Sequence, residues 1–395
     1  MIPLRQFLHT LRDRTPLGLL QLKHDRLRLL TAIAGITFAD VLIFMQLGFA
    51  DALYRTNTQY PRTLQTDLVM ISSQAENFSE LQTFSRRRLY QALDVPGVEG
   101  VTPLYLGSVK WRNPQTKQPT PMLVIGQDPN QVALNLPAVN QQLDQLKIPN
   151  TVLFDQKSRG RYDQMLAQLQ QGKLVTTEIG KNTVTVTGLF SVGASFADDG
   201  ALITSEDTFL RLFPRRQAGT VSLGLIRLEP EADPETVQAT LAAYLPKDVK
   251  IFTNEGYVDF EIGYIQRRSP IGFVFGLGTV MGFIVGTVIV YQVLSTDVNS
   301  HLAEYATFRA MGYRQRYLLG VIFEEALILS VLGFVPSLAI AVGAYQFTAV
   351  ATALPIFMPL HRALFVFALT LAMCSLSGMV ATRRLQAADP ADIFA

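Results

Sequence analysis

The chain has 395 residues, of which 49% are hydrophobic, a mean hydropathy of +0.23 and a formal net charge of +2. This composition is too apolar for an ordinary soluble enzyme of this size, and the small net charge is not typical of a nucleic-acid-binding protein. A membrane protein is therefore the first class to consider.

The N-terminal 28 residues precede the first apolar segment. The stretch "PLGLLQLKHDRLRLL", residues 16–30, places leucines on one helical face and Lys23, Arg26 and Arg28 on the other, which is typical of a helix lying on a bilayer surface. A plain N-terminal extension of the first membrane helix explains the same pattern. We keep both interpretations of residues 1–28.

Four windows are apolar enough to span a membrane, since about twenty helical residues cross a hydrocarbon core about 30 Å thick. They are residues 29–49, 271–294, 318–347 and 363–381. The third window exceeds the required length, which allows tilt, a kink at Pro336 or projection beyond the bilayer. The first window begins too far from the N-terminus for a cleavable signal peptide and has no A-x-A-like site, so we expect it to stay as an anchor.

Basic residues near the window ends predict the orientation by the positive-inside rule. Three segments carry them and are predicted to be cytoplasmic: residues 1–28 (Arg5, Arg12, Arg14, Lys23, Arg26, Arg28), 295–316 (Arg309, Arg314, Arg316) and the tail 382–395 (Arg383, Arg384). The short loop 348–362 carries only Arg362 and is predicted to lie outside. Both termini are then inside a multi-pass protein of the inner (plasma) membrane.

Residues 50–269 form a large domain outside the membrane between the first two helices. Their 22 Lys and Arg nearly balance 23 Asp and Glu, so this surface does not suit a polyanion. Strand patterns occur in "TDLVMISS", "VEGVTPLYLGSVKW", "TPMLVIGQ", "NTVTVTGLF" and "TVSLGLIRL". Helical spacing occurs in "FSRRRLYQAL", "YDQMLAQLQQ" and "DPETVQATLAAYL", the last with Asp233 as N-cap. The predicted fold class is an α-helical membrane protein with four transmembrane helices and a large α+β domain inserted between helices 1 and 2.

The end of this domain, Asn254 to Ser269, is predicted to continue as a helical stalk into the second membrane helix, with Arg267 and Arg268 at the headgroup level. Such continuity makes a mechanical connection between the domain and the membrane.

Two features inside the membrane windows call for partners. Gly278, Gly282 and Gly286 form a small-xxx-small row that suits either a homodimer interface or packing within the chain. Asp40 lies in the middle of the first window, where a carboxylate is costly and needs a partner or a proton. An interhelical hydrogen bond is the favoured interpretation, and a proton relay with Glu324 and Glu325 is the alternative.

The sequence lacks the common signatures of an active site. The two Gly-Lys pairs, Gly172-Lys173 and Gly180-Lys181, are not in a P-loop, and no G-x-S-x-G, H-E-x-x-H or paired-cysteine motif occurs. The four histidines are scattered and Cys374 is the only cysteine. We therefore expect a non-catalytic subunit with no cofactor or metal of its own.

The polar stretch "HLAEYATFRAMGYRQRY", between the second and third windows, predicts a short helix that Gly312 ends. Its residues form two separate ridges, one of Leu302, Ala306, Ala310 and Tyr313 and one of Glu304, Phe308 and Met311. A solvated loop on the headgroups explains the arginines but not the apolar ridge of Phe308 and Met311, so a helix held between two bodies is favoured.

The stretch "EYATFRAMGY" resembles that of MacB/FtsX-like permeases of ABC systems. The order of one helix, a large domain and three more helices resembles these permeases as well. The segments "RLLTAIAGITFADVLIFMQLGF", "NTVLFDQKSRGRYD", "GLFSVGASFADDGALITS" and "HLAEYATFRAMGYRQRYL" resemble the DevC-type permeases of cyanobacterial exporters, over residues 16–395.

The resemblance implies a homodimeric permease that works by mechanotransmission in contact with membrane lipid. It implies three partners: a separate ABC ATPase that binds ATP and Mg, a periplasmic membrane-fusion (HlyD-like) adaptor and a TolC-like outer-membrane channel. It also implies that the short cytoplasmic helix docks on the ATPase through Glu304, Tyr305, Phe308, Arg309, Met311, Gly312 and Tyr313. An FtsX-like transducer of a periplasmic effector and a Lol-like lipoprotein extractor remain alternatives.

Overall fold

The structure is a computed structural model that describes residues 26–217, 219–267, 270–300, 307, 311 and 315–387. It divides into two compact units. The helix unit comprises residues 1–50, 274–347 and 356–395, and the sheet unit comprises residues 51–273 and 348–355.

The sheet unit alternates short strands with short helices. Its strands are β1 (Leu68–Ser72), β2 (Phe84–Ser85), β3 (Val98–Arg112), β4 (Pro119–Gln127), β5 (Thr151–Asp155), β6 (Val175–Ile179), β7 (Asn182–Phe190), β8 (Ala201–Ser205), β9 (Thr220–Val221), β10 (Leu223–Leu228) and β11 (Val249–Thr253). Its helices are α2 (Arg87–Ala92), α3 (Pro137–Asn140), α4 (Asp163–Gln170), α5 (Glu206–Leu212), α6 (Pro234–Tyr244) and α7 (Asn254–Arg267). Helix α1 (Arg26–Thr58) leads into this unit.

Nine strands form one mixed sheet in the order β11-β1-β10-β3-β4-β8-β5-β7-β6. Strands β4 and β8 are parallel, as are β5 and β7, and the other neighbours are antiparallel. The far end of the long strand β3 also pairs with β6 through Trp111 and Ile179. This bridge closes six strands into a ring: β3, β4, β8, β5, β7 and β6.

Both faces of the sheet are buried, which is why its central strands are apolar without a polar alternation. In β1, Leu68 and Met70 belong to one core cluster, whereas Val69 and Ile71 belong to the other. Helices α2, α4, α5 and α6 contribute to the first cluster, and α3 and α7 contribute to the second. Helices therefore cover both faces of the sheet.

Local sequence signals account for several of these elements. Asp233 caps α6, because its carboxylate accepts the backbone N–H of Thr236 at 2.9 Å, as predicted. The helix predicted from "FSRRRLYQAL" is shorter, since Phe84 and Ser85 pair with Val221 and Thr220 as a two-stranded sheet.

Among the residues that the structure describes, four helices are long and apolar enough to cross a membrane, and they lie mainly in the helix unit. They are α1, α8 (Pro270–Ser300), α9 (Gln315–Thr352) and α10 (Leu360–Ala387). Each is longer than its apolar window, and Pro336 lies inside α9 without ending it. Residues from all four helices pack in one core cluster around Ile36, Leu294, Leu329 and Met373.

The predicted stalk differs from the observed structure. Helix α7 packs on the sheet unit, with Tyr257 and Glu261 almost fully buried. A Cβ on Gly272 would lie 2.6 Å from the Ile265 carbonyl oxygen. Seven residues of a continuous α-helix span about 10 Å, so Ile265 and Gly272 do not lie on one straight, continuous helix. The prediction of one unbroken helix from the domain into the membrane is therefore wrong at this point, where α7 is described to Arg267 and α8 from Pro270. Arg268 and Ser269 lie outside the described residues.

Candidate functional site

Most of the predicted ATPase-docking stretch lies outside the described residues. This applies to Glu304, Tyr305, Phe308, Arg309, Gly312 and Tyr313, and also to residues 1–25 of the N-terminal segment. Met311 is described: its side chain is 61% exposed, and its backbone N–H donates to the Thr307 carbonyl at 3.0 Å. This i to i−4 bond is that of one helical turn. The docking role of the stretch stays a prediction.

Asp40 of α1 joins three helices inside the helix unit. Its side chain has no exposed surface, and its two oxygens accept the Thr370 hydroxyl of α10 at 2.9 and 3.0 Å. The Ser337 hydroxyl of α9 lies 3.3 Å from the same carboxylate. These contacts are what the interhelical hydrogen-bond interpretation predicts, because a buried carboxylate needs donors around it.

A second polar cluster, which sequence reasoning missed, lies near the ends of α1 and α8. Arg28 donates to Asp297 at 2.8 Å and to the Ser300 hydroxyl at 2.9 Å. Glu325 of α9 is fully buried beside Asp297. One sequence signal could have indicated this pair. Arg28 and Asp297 lie at the ends of two apolar windows, and the positive-inside rule places these two ends on the same side of the membrane.

A third polar contact ties the opposite ends of the helices. Arg362 is only 6% exposed, donates to the Phe357 carbonyl at 3.0 Å and lies over the Tyr345 ring at 5.6 Å. The Tyr345 hydroxyl in turn donates to the Phe44 carbonyl of α1. Arg362, the single arginine of the segment 348–362 that is predicted to lie outside, is therefore a buried structural residue.

The glycine row of α8 packs within its own chain. An added Cβ would come 2.5 Å from Gln46 at Gly278 and 2.9 Å from Ile43 at Gly282, and at Gly286 it would clash with Met373 and Ala39. These neighbours belong to α1 and α10, so the glycine row packs against helices of its own chain, which is the second of the two alternatives. A homodimer interface at these three glycines stays a prediction that this packing does not favour.

The sheet unit contains an open cleft of about 300 Å³ beside α7. Its lining combines Lys250 and Arg267 with Asp259 and two aromatic rings, Phe260 and Tyr264, and the Lys250 ammonium lies 5.8 Å from the centre of the Phe260 ring. Mixed charge next to aromatic surface suits a zwitterionic or amphipathic ligand better than a polyanion.

The described part of the chain has no group of three or more His, Cys, Asp or Glu side chains placed to hold a metal ion. The polar groups of the helix unit described above connect helices with one another.

Comparisons with known proteins agree with this division into two units. Residues 29–244 match the family model described as the MacB-like periplasmic core domain, which alone covers more than half of the chain. Residues 275–390 match the model described as the FtsX-like permease C-terminal. The comparison with curated proteins gives no match.

Two solved structures are similar to about half of the chain. One is the periplasmic region of MacB from Actinobacillus actinomycetemcomitans, with 13% identity, a TM-score of 0.32, and coverage of 49% of this chain and 91% of that one. The other is the extracellular domain of the noncanonic ABC-type transporter YknZ from Gram-positive bacteria, with 13% identity, a TM-score of 0.31, and coverage of 48% and 99%.

Proposed function

This chain belongs to the MacB/FtsX-like family of ABC permeases, and we propose that it works as the permease subunit of an exporter of the mechanotransmission type. The observation that carries the proposal is the order of the two family matches. A MacB-like periplasmic core is followed by an FtsX-like permease region, and each match falls mainly on one of the two structural units.

The contacts inside the helix unit support a mechanical role. Asp40 and the Arg28–Asp297 pair each join helices that are distant in sequence, and Arg362 joins α10 to Tyr345 of α9. Breaking a buried hydrogen bond of this kind typically costs about 1–3 kcal/mol, so the helices are held together and can move as a body. A body of this kind can pass a displacement from one side of the membrane to the other.

We propose an assembly of the kind that the resemblance to this family implies. Two copies of the chain lie in the inner membrane with their termini in the cytoplasm, and the sheet unit lies in the periplasm. A separate ABC ATPase binds ATP and Mg, while an HlyD-like adaptor and a TolC-like channel continue the route outward. The similarity to DevC-type permeases makes a cyanobacterial exporter the specific form that we propose.

Docking of the ATPase is tested by removing the apolar ridge of the cytoplasmic stretch. Full burial of a side chain such as Phe or Met is worth about 1.5–3 kcal/mol, so the Phe308→Ala/Met311→Ala double variant should weaken docking at least about 100-fold. The measurement is the amount of ATPase retained when the full-length chain is purified from membranes.

A matched control is Phe365→Ala/Met281→Ala, which removes the same two side chain types from exposed positions of α10 and α8. We expect it to retain the ATPase as the unmodified chain does. Equal retention by all three proteins would contradict docking through the stretch and would direct the search to the N-terminal segment, residues 1–28.

The FtsX-like match also fits a transducer that controls a periplasmic effector without moving cargo. Proteins that copurify with the full-length chain separate these functions. An adaptor and a TolC-like channel support export, a peptidoglycan hydrolase supports regulation, and a lipoprotein supports Lol-like extraction.

A further inference from the structure

Arg159 lies four residues after the end of β5 and contacts two other segments of the sheet unit. Its Nη1 donates to Asp199 at 2.6 Å, its Nη2 to the Ser195 carbonyl at 3.0 Å and its Nε to the Thr352 carbonyl at 2.5 Å. The Arg159 backbone N–H also donates to the Asp199 carbonyl at 2.6 Å. One guanidinium therefore holds the loop 191–200 and the last residue of α9 together.

The loop 191–200 is held in place by hydrogen bonds to a buried carboxylate. Asp155 has no exposed surface and accepts the backbone N–H groups of Gly193 at 2.6 Å, Lys157 at 3.0 Å and Val192 at 3.1 Å. Burial raises the pKa of Asp155, and the three N–H donors oppose this by stabilising its charged form. Gly193 has a φ of +124°, which a side chain rarely tolerates. The loop is thus a defined surface to which Arg159 is anchored.

Thr352 is the residue at which α9 ends. Its carbonyl is one of the acceptors that a helix C-terminus leaves without a partner in the helix, and Ala353 follows with a φ of +53°. A cation also interacts favourably with the negative end of the helix dipole. Arg159 therefore acts as the C-terminal cap of α9, supplied from 193 residues away in the sequence.

The same loop is also contacted by the residue that follows α1. The Gln59 side-chain amide donates to the Gly193 carbonyl at 3.2 Å, one residue after α1 ends at Thr58. The loop 191–200 thus receives contacts from the chain at the ends of two candidate membrane helices, α1 and α9. A displacement of either helix end would therefore act directly on this loop.

We propose that Arg159 is a positioning residue that couples the end of α9 to the loop 191–200, so that both move as one body when the ATPase acts. This inference rests on the proposed function. The geometry requires arginine, because three N–H donors of one rigid planar group point to three acceptors, whereas a lysine ammonium is a point charge on a flexible stem.

The first experiment measures the junction without nucleotide. Nitroxide labels are placed on Lys157→Cys and Ala351→Cys, both exposed, in a Cys374→Ser background of the full-length chain in nanodiscs. With Arg159 intact, pulsed EPR should give one narrow distance distribution. Arg159→Gln and Arg159→Lys should broaden it at least about two-fold, whereas Arg161→Gln, which alters an exposed neighbour, should leave it unchanged.

Two further measurements make this experiment decisive. The fluorescence of Trp111, the one tryptophan of the sequence, shows whether the sheet unit of each variant is folded, because this side chain is fully buried there. If Arg159→Gln fails to fold, Asp199→Asn removes the ion pair while keeping the arginine and should also broaden the distribution. An unchanged distribution in a folded Arg159→Gln or Asp199→Asn variant, or equal broadening in Arg161→Gln, would overturn the proposal.

The second experiment repeats the measurement on the complex with its ATPase, with and without a non-hydrolysable ATP analogue. The intact junction should keep the same label separation in both states, whereas Arg159→Gln should show a separation that changes with nucleotide. A nucleotide-dependent change in the intact chain, or none in Arg159→Gln, contradicts coupling through Arg159. Failure of any ATPase to bind contradicts the proposed function instead, and leaves the nucleotide-free result valid.

Discussion

Glu261 of α7 is a buried carboxyl of the sheet unit with one backbone donor. It is 1% exposed, and its Oε2 accepts the Phe78 N–H at 3.0 Å. Burial raises its pKa from 4.5 to about 7, against the opposing effects of the Phe78 N–H and the Tyr257 hydroxyl. Between these pH values the folded protein holds a proton that the unfolded chain has lost. The stability that Glu261 contributes is therefore fully present below pH 4.5 and is lost as the pH rises through about 7.

We expect Glu261→Gln to remove this pH dependence. A pKa shift of this size corresponds to a change on the order of 3 kcal/mol in the free energy of unfolding. The thermal unfolding temperature of the full-length chain, measured by Trp111 fluorescence, should fall as the pH rises from 5 to 8 in the unmodified protein. It should fall less steeply in Glu261→Gln. Glu255→Gln, at an exposed position of the same helix, is the control. The same slope in all three proteins would show that Glu261 ionises normally.

At the scale of elements, α8 illustrates how one helix can have two kinds of face. Its glycine row packs on α1 and α10, whereas Phe273, Leu277, Val280 and Ile284 are exposed. Small residues let helix backbones approach closely, which favours van der Waals packing where water supplies no driving force. The glycine-lined face of α8 therefore packs against helices of its own chain, and the face with the exposed apolar side chains remains open to lipid or to a second copy.

Gly286→Leu should separate α8 from α10, because the added side chain meets Met373 and Ala39. Overpacking typically costs about 1–3 kcal/mol, which corresponds to a roughly 5- to 150-fold larger fraction of locally opened molecules. The labelling rate of Cys374, which is 1% exposed next to Met373, measures this fraction with a membrane-permeant maleimide.

Gly276→Leu is the matched control, since a Cβ at Gly276 meets nothing within 4 Å. Equal labelling rates in the two variants would argue against the packing of the row in this chain. Separation of crosslinked protomers by Gly282→Leu, with Cys374 still protected, would instead favour the homodimer interface.

At the scale of the whole molecule, the proposed binding of an ATPase and of an adaptor both depend on the predicted orientation of the chain in the membrane. Positive charge beside the apolar windows predicts that residues 295–316 lie in the cytoplasm and the large domain outside. An ATPase can reach the chain only on the cytoplasmic side, and an adaptor only on the other.

Cysteine labelling in intact cells tests this orientation in a Cys374→Ser background. Lys173→Cys, at an exposed turn of the sheet unit, should react with a membrane-impermeant maleimide, and Ser300→Cys, exposed at the end of α8, should react only after the membrane is opened. Reaction of Ser300→Cys in intact cells would reverse the assignment and remove the basis for ATPase docking.

The sequence by itself determined the features that depend on neighbouring residues. Four apolar windows became four long helices, the five quoted strand runs became strands, and Asp233 caps α6. Strand β5 was not predicted: like β1, it has five consecutive buried residues without alternation, and such a run does not by itself distinguish a strand from a buried helix.

Only the tertiary structure decided the features that join distant residues. Arg28 pairs with Asp297 across 269 positions, and Arg159 reaches Thr352 across 193. The close approach of Met373 and Ala39 to Gly286 likewise depends on surfaces that other elements provide. No local pattern marks these contacts, because an arginine or a glycine has the same sequence neighbours whatever it later packs against. Its partner is fixed when loops close and the apolar faces of sheet and helices are buried together.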